Sequence, residues 1–364
     1  MIKKLINPFG LVLKEFDDLK RLSSFFLKNY LKKTVLATIL SFFCSIFETL
    51  GTLTIVPLFL LLSNEKIPTE GTTKVIYDFF TKIGISNNLP AVLIFFSLAF
   101  IIKALLKFAV SLVQGVTIAQ IVEDFRYKLM NSIYSAEWNY FVKQKTGILI
   151  NSLGNEAIQA ARSFSQFILL NNHLILFLIY FLLSITVSLV VPLAGVFFAF
   201  FLVLLIKFTH NYYVLISQRQ VQGMKKVVGK LTELLLLLKP LKAMYRGLAI
   251  KNILILDVKE LSKNIKKQVF FNASIDSLRE PIIVIFLCLF LYVSINVLSI
   301  KVTEIVFLTF IFYRLITNSI NLQNTYYKLI NFNKYLDSFL NILNITSEKK
   351  EVWDGKINLG FKSK

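Results

Sequence analysis

Five ionisable side chains sit inside long apolar runs of this sequence: Glu48, Lys103, Lys107, Lys207 and Arg314. An unpaired charge in an apolar medium costs roughly 3 kcal/mol or more, so each such position calls for a partner or a task. Lys103 and Lys107 are four residues apart and share one face of a helix. At about 1.5 Å per residue, Arg314 lies about 15 Å and Lys103 about 18 Å from the outer ends of their runs, so both fall near the middle. Lys107 and Lys207 fall nearer the inner ends, where their stems let the ammonium snorkel. Glu48 is also central and is placed to pair with Lys103 or with Arg314; the sequence leaves that choice open. The balance is positive, and cations around a cavity favour an anionic head group such as a phosphate or pyrophosphate. The plainer reading is structural, with Glu48 holding one cation and backbone carbonyls holding the other. Asn171, Asn172 and His173 read as interhelical hydrogen-bonding groups.

Other chemistry is sparse. Cys44 and Cys288, the only cysteines, lie in apolar runs, and His173 and His210 are the only histidines. This composition offers neither a disulfide framework nor a metal-ligand spacing. No residue set reads as catalytic. Gly223, Gly229 and Lys230 come nearest to a phosphate loop. Their spacing is one residue too long, no Ser or Thr follows the lysine, and the context is helical rather than strand, loop and helix, so that reading is rejected.

The elements that position the charges follow from composition. The chain has 364 residues, 55% of them hydrophobic, and a mean hydropathy of +0.66. Soluble domains average about 45–50% apolar, and runs of about 20 apolar residues mark membrane spans. Six spans are expected: Thr34–Leu62, Pro90–Ala119, Phe164–Val191, Leu193–Ser217, Pro281–Leu298 and Ile305–Tyr326. The third and fourth meet at Val191-Pro192, and Pro281 opens the fifth, where proline is tolerated in the first turn. Residues 1–33 are expected to form an interfacial segment, with a solvated basic arm as the alternative. Leu11, Leu13, Phe16, Leu19, Leu22 and Phe26 suit an amphipathic helix on a lipid surface, and no cleavable signal is present.

The net charge of +20 does not imply a nucleic-acid partner, because basic residues collect in the cytoplasmic loops of membrane proteins. Residues 1–33 carry eight Lys/Arg, and residues 218–275 carry twelve against three acids, whereas the 63–89 and 299–304 connections are balanced. The positive-inside rule then puts both termini in the cytoplasm. Two cytoplasmic segments remain, 121–161 and 218–275, and both have helical periodicity. Read as a helix out, a turn and a helix back, each reaches roughly 30 Å beyond the bilayer.

Several local patterns point to a family. FRYKLMNSIYSAEWNYFVKQKTGILINSLGNEAIQA resembles the first intracellular loop of exporter-type ABC transporters, with Thr146, Gly147, Leu149, Leu153 and Glu156 matching its TG-x-L-x-x-x-L element and following acid. LLLLLKPLKAMYRGLAIKNIL resembles the second loop. Glu48, Gly51 and Pro57 in FETLGTLTIVPLF resemble the subgroup of bacterial lipid-linked oligosaccharide flippases, and Arg314 stands where many members place a sixth-span arginine, although the proline that often follows is absent. The resemblance covers nearly the whole chain. It implies an all-α exporter-type transmembrane fold over residues 34–346, in the cytoplasmic (inner) membrane of a bacterium.

The resemblance also implies a mechanism. Turns at Ala136–Lys145 and Pro240–Ala249 would be coupling helices that dock on an ATP-hydrolysing domain, through Trp138, Tyr140, Phe141 and Lys143 in the first and Leu241, Tyr245 and Arg246 in the second. Aromatic anchors of this kind dominate small interfaces. The cavity residues would be Arg314, Lys103, Lys107 and Glu48. A half-transporter implies a second copy or a close homologue, with the fourth and fifth spans crossing to it. Residues 347–364 look like a linker and the first strand of a nucleotide-binding domain, Ile357, Leu359 and Phe361 alternating. Lacking a phosphate loop and a signature motif, the chain is expected to take ATP and Mg2+ only through such a domain, fused downstream or separate. The expected cargo is an amphipathic anionic lipid or lipid-linked glycan moved by alternating access. A peptide or drug exporter, or a non-transporting scaffold, are the alternatives.

Overall fold

The computed structural model describes residues 8–63, 72–82, 84, 88–187, 190–244, 247–296 and 302–351. The elements among the described residues are helices: α1 (Pro8–Leu53), α2 (Ile55–Ser63), α3 (Thr72–Lys82), α4 (Leu89–Tyr134), α5 (Trp138–Lys143), α6 (Thr146–Asn151), α7 (Ala157–Val187), α8 (Val190–Leu236), α9 (Leu238–Ala243), α10 (Gly247–Asn296) and α11 (Val302–Glu348). A π-helical turn, Ser152–Glu156, joins α6 to α7. No strand occurs among the described residues, where the β-type pairing is one isolated antiparallel bridge, Ala136 to Lys350.

Three helices among the described residues are long and apolar enough to cross a membrane: Lys20–Leu62, Leu89–Tyr134 and Thr146–Ile185. They contain the first two expected spans and the third as far as Ile185. Helix α4 shows why. Leu93, Ile94, Leu98, Ile101, Leu105, Phe108, Leu112 and Val116 lie along it at helical spacing and are all exposed. This apolar face extends about 35 Å at 1.5 Å per residue, the height of a bilayer's hydrocarbon core. Glu280–Asn296 is the shorter apolar stretch of α10 at the expected fifth span. The expected fourth and sixth spans include side chains outside the described residues, 199–200, 202–211 and 306.

Four details differ from the sequence expectation. The first span is broken at Thr54, because Pro57 has no N–H and its ring crowds the carbonyl of Leu53. The hydroxyl of Thr54 turns back to donate to the Gly51 carbonyl at 2.6 Å. The 63–89 connection contains a helix, α3, which buries Tyr77 and Phe80 one turn apart. Pro192 is not the hairpin; α8 starts at Val190 and holds it in the first turn. Pro281 lies inside α10 rather than at a helix start, leaving the Ser277 carbonyl without its helical donor.

Chain contacts define two compact units. The first comprises Met1–Ala119, Arg162–Ser217 and Ile265–Asn331, the second Gln120–Ala161, Gln218–Asn264 and Phe332–Lys364. The first unit is built around α11. Its stripe Phe307, Leu308, Ile311, Phe312, Leu315, Ile316 and Ile320 is buried against Leu176 and Tyr180 of α7, Phe198 of α8 and Phe290 of α10. The N-terminal arm belongs to this unit too. Helix α1 is kinked at Tyr30 (φ −136°, ψ 38°), and ahead of the kink Leu22 and Phe26 are buried, with Phe26 edge-on to Phe164. The arm thus packs Phe26 onto α7; the side chains of Leu11, Leu13, Phe16 and Leu19 lie outside the described residues.

The second unit is held by stacking of Phe125 on Phe339, ring centroids 4.7 Å apart, and by a helix crossing at two glycines. A Cβ on Gly147 of α6 would stand 2.6 Å from the Cα of Gly229 in α8. Only a glycine lets backbones meet so closely. This explains Gly229 without any phosphate.

Candidate functional site

The first unit brings Glu48, Lys103, Lys107 and Arg314 to one cavity of about 310 Å3. They come from α1, α4 and α11, so no local pattern could have joined them. The Glu48 carboxylate does not choose between the two cations. Oε2 lies 3.1 Å from Lys103 Nζ, and Oε1 lies 3.5 Å from Arg314 Nη1. The three side chains keep 15%, 23% and 27% of their surface, so the cluster is shielded but reachable.

Packing around the cluster fixes it. Gly51, one turn beyond Glu48, lets α1 approach Phe100, since a Cβ there would meet Phe100 Cε2 at 2.8 Å. Phe100 lies one turn before Lys103, and its ring carries the Lys103 ammonium 5.3 Å from the centroid. The Arg314 guanidinium stands equally far from the Phe310 ring. Both are cation–π distances. Asn172 turns its Oδ1 to Ser45, whose hydroxyl donates at 3.0 Å, an interhelical bond of the expected kind.

Donor capacity is left over. Arg314 Nε has no hydrogen-bond partner, and Lys107 makes no ion pair among the described residues. Three cations against one carboxylate give the cavity a formal charge of +2. Asn318, Asn321 and Gln114 complete a polar lining. The arrangement can hold a multivalent oxyanion without displacing Glu48. Lys207 has a side chain outside the described residues.

The second unit carries the expected docking residues, at two short helices. The first, α5, spans six residues between α4 and α6, and α9 spans six between α8 and α10. Trp138 is 76% exposed, with Val142 exposed one turn on. Lys143 is exposed as well. Tyr140 points the other way: its hydroxyl lies 3.0 Å from Thr346 Oγ1 of α11. Two backbone bonds clasp the same turn, Glu137 N–H to the Lys349 carbonyl at 2.7 Å and Glu351 N–H to the Ser135 carbonyl at 2.8 Å. At α9, Leu241 is half-buried, while Leu235, Leu236, Leu237, Leu238 and Met244 are exposed. Tyr245, Arg246 and the side chain of Phe141 lie outside the described residues.

Sequence reasoning missed Val142 and the leucine run as exposed surface. The signal was present: a leucine run too short to span, in the most basic segment of the chain. It also undervalued Glu156. This fully buried carboxylate accepts from Asn151 Nδ2 and Ser152 Oγ, each at 3.0 Å, lies 3.6 Å from Lys225 Nζ and is reached by Ser338 Oγ at 3.4 Å. Residues five apart do not share a face of an α-helix; the wider π-turn brings Asn151 onto that of Glu156. Four partners offset the cost of burying the charge.

Nearby, Asp257 of α10 is bonded by Lys226, at 2.6 Å, and by Lys230. Their hydrogen bonds hold its carboxyl below the usual range, and Asp257 in turn raises the Lys226 ammonium. Lys230 therefore has a structural partner. No protein-family model matches the chain, and a search of curated proteins found no match.

Proposed function

We propose that this chain is the membrane-spanning part of an exporter-type ABC transporter, moving an anionic, amphipathic lipid or lipid-linked glycan by alternating access. The observation that carries the reading is helix length joined to what lies between the helices. Helices α4, α8 and α10 contain 46, 47 and 50 residues. At about 1.5 Å per residue each measures about 70 Å along its path, more than twice the ~30 Å of hydrocarbon it would cross. A pure membrane anchor has no need of the excess. Each pair of such extensions ends in a six-residue helix with exposed apolar side chains, Trp138 and Val142 at one and the leucine run at the other. These are surfaces suited to docking.

In this reading α5 and α9 couple to an ATP-hydrolysing domain, fused downstream or separate. The clasp between residues 135–137 and 349–351 would tie the first docking turn to the segment leading towards that domain. ATP-driven closure of paired domains would pull on both tips and reorient the helices of a dimer. The Glu48, Lys103, Lys107 and Arg314 cavity would hold the cargo's phosphate or pyrophosphate. The orientation, termini inside, follows from the basic arm and the basic 218–275 segment.

The test is ATP hydrolysis by the chain joined to its nucleotide-binding domain in lipid nanodiscs. Added anionic lipid should stimulate hydrolysis in the parent. Trp138→Asp should abolish the stimulation while the protein still binds the lipid. Equal stimulation in parent and variant would remove α5 from the coupling path, and failure to find any ATPase domain in the reading frame or beside it would remove the motor.

A further inference from the structure

A second cavity in the first unit, about 770 Å3, shares no lining residue with the Glu48 site. Three helical stretches form it at regular spacing. Lys20, Ser23 and Leu27 come from α1 ahead of the Tyr30 kink; Thr34, Val35, Thr38 and Ile39 come from α1 beyond it; Phe167, Leu170, Asn171 and Leu174 come from α7. The kink opens the groove: the arm and the span are no longer collinear, and α7 closes the angle between them.

The chemistry is graded along the groove. Thr34 and Thr38 spend their hydroxyls on their own helix, donating to the carbonyls of Tyr30 at 2.9 Å and Thr34 at 2.8 Å. What they offer the cavity is methyl groups. Phe167, Leu170 and Thr34 are buried, while Leu27, Val35, Ile39 and Leu174 remain exposed. At the arm end stands Lys20, which makes no ion pair among the described residues. Asn171 likewise has no hydrogen bond among them.

We infer that this groove is a binding site for one anionic phospholipid. An acyl chain lies along Leu27, Val35, Ile39 and Leu174, and the phosphate meets Lys20. Helix segment Lys20–Leu62 and the stretch Thr146–Ile185 that holds most of α7 are both long and apolar enough to cross a membrane; in that setting the walls would face acyl chains rather than water. An apolar slot at that depth is filled by lipid, which is its solvent. The Lys20 ammonium at one end selects the head group, as basic residues at a membrane surface do for anionic lipids. The volume lies within the ~300–1,000 Å3 typical of small-molecule sites. The lipid would brace the kink of α1 as a resident; the site is separate from the proposed cargo cavity and needs no ATP.

The test uses the full chain in nanodiscs of equal phosphatidylglycerol and phosphatidylcholine, extracted in mild detergent and weighed by native mass spectrometry. The parent should retain phosphatidylglycerol over phosphatidylcholine by about fivefold, the effect of one surface lysine on an anionic lipid. Lys20→Glu should erase the preference and Lys20→Arg should keep it, which separates charge from misfolding. Leu174→Trp, which fills the groove, should lower retention of both lipids. Equal retention of the two lipids by the parent, an unchanged preference in Lys20→Glu, or displacement by inorganic phosphate alone would overturn the assignment. So would a disulfide between copies through Val35→Cys, which would give the groove to a second chain.

Discussion

Replacing Glu48 by Gln would move stability and anion binding in opposite directions. The two carboxylate oxygens lie 3.1 Å from Lys103 Nζ and 3.5 Å from Arg314 Nη1. Gln keeps the shape but loses the charge, and its amide turns an NH2 towards one of the two cations. A hydrogen bond to a charged group contributes roughly 1.5–3 kcal/mol. One contact is long and the groups are partly wet, so the expected loss of stability is about 2 kcal/mol. The cavity's formal charge rises from +2 to +3. An oxyanion on the far side of the Lys103 ammonium would sit about 3 Å beyond it, hence about 6 Å from the lost carboxylate. At an effective dielectric of about 20, the repulsion removed is about 332/(20 × 6), or about 3 kcal/mol. If cavity water halves this, binding tightens about tenfold.

The assay pairs thermal unfolding in detergent with equilibrium binding of a short-chain pyrophosphate lipid, using a zwitterionic lipid as control. Lower melting with tighter anion binding is expected for Glu48→Gln, and weaker anion binding for Arg314→Ala. Lower melting with equal or weaker anion binding for Glu48→Gln would refute the cavity reasoning and leave Lys103 and Arg314 as structural partners of one buried acid.

Gly147→Ala would set a methyl 2.6 Å from the Cα of Gly229, forcing α6 and α8 apart by about 1 Å. Overpacking of this kind costs about 1–3 kcal/mol, read as a lower melting temperature, and a melting point equal to the parent's would deny the backbone contact. Asp257 makes the second unit acid-sensitive. Its folded-state pKa is depressed, so the stability it confers is present above the usual carboxylate range and is lost as pH falls through the folded value. The raised Lys226 gives the matching loss as pH climbs above the usual lysine range, about 10.4. Protease resistance of α8 and α10 should therefore hold at neutral pH and fall in acid. Asp257→Asn should flatten the acid side, and an unchanged acid profile would contradict the ion-pair account.

Composition and periodicity alone determined the helical, membrane-compatible character of the described residues, since a face like that of α4 needs nothing but apolar side chains at helical spacing. The breaks near Tyr134 and Pro240 were also legible, because turn chemistry is local. So was the tension around the ionisable residues, because charge in an apolar run is expensive wherever it falls.

Only the tertiary structure decided who meets whom. Glu48, Lys103 and Arg314 lie on three helices far apart in sequence, and their meeting depends on Gly51 admitting Phe100. Tyr140 reads as an aromatic anchor by type, yet a hydroxyl at Thr346 turns it inward and leaves Trp138 and Val142 as the exposed pair. Gly229 and Lys230 look like a broken phosphate loop until Gly147 and Asp257 are seen beside them. Periodicity specifies which face of a helix is apolar, but the partner of that face depends on the packing of helices distant in sequence.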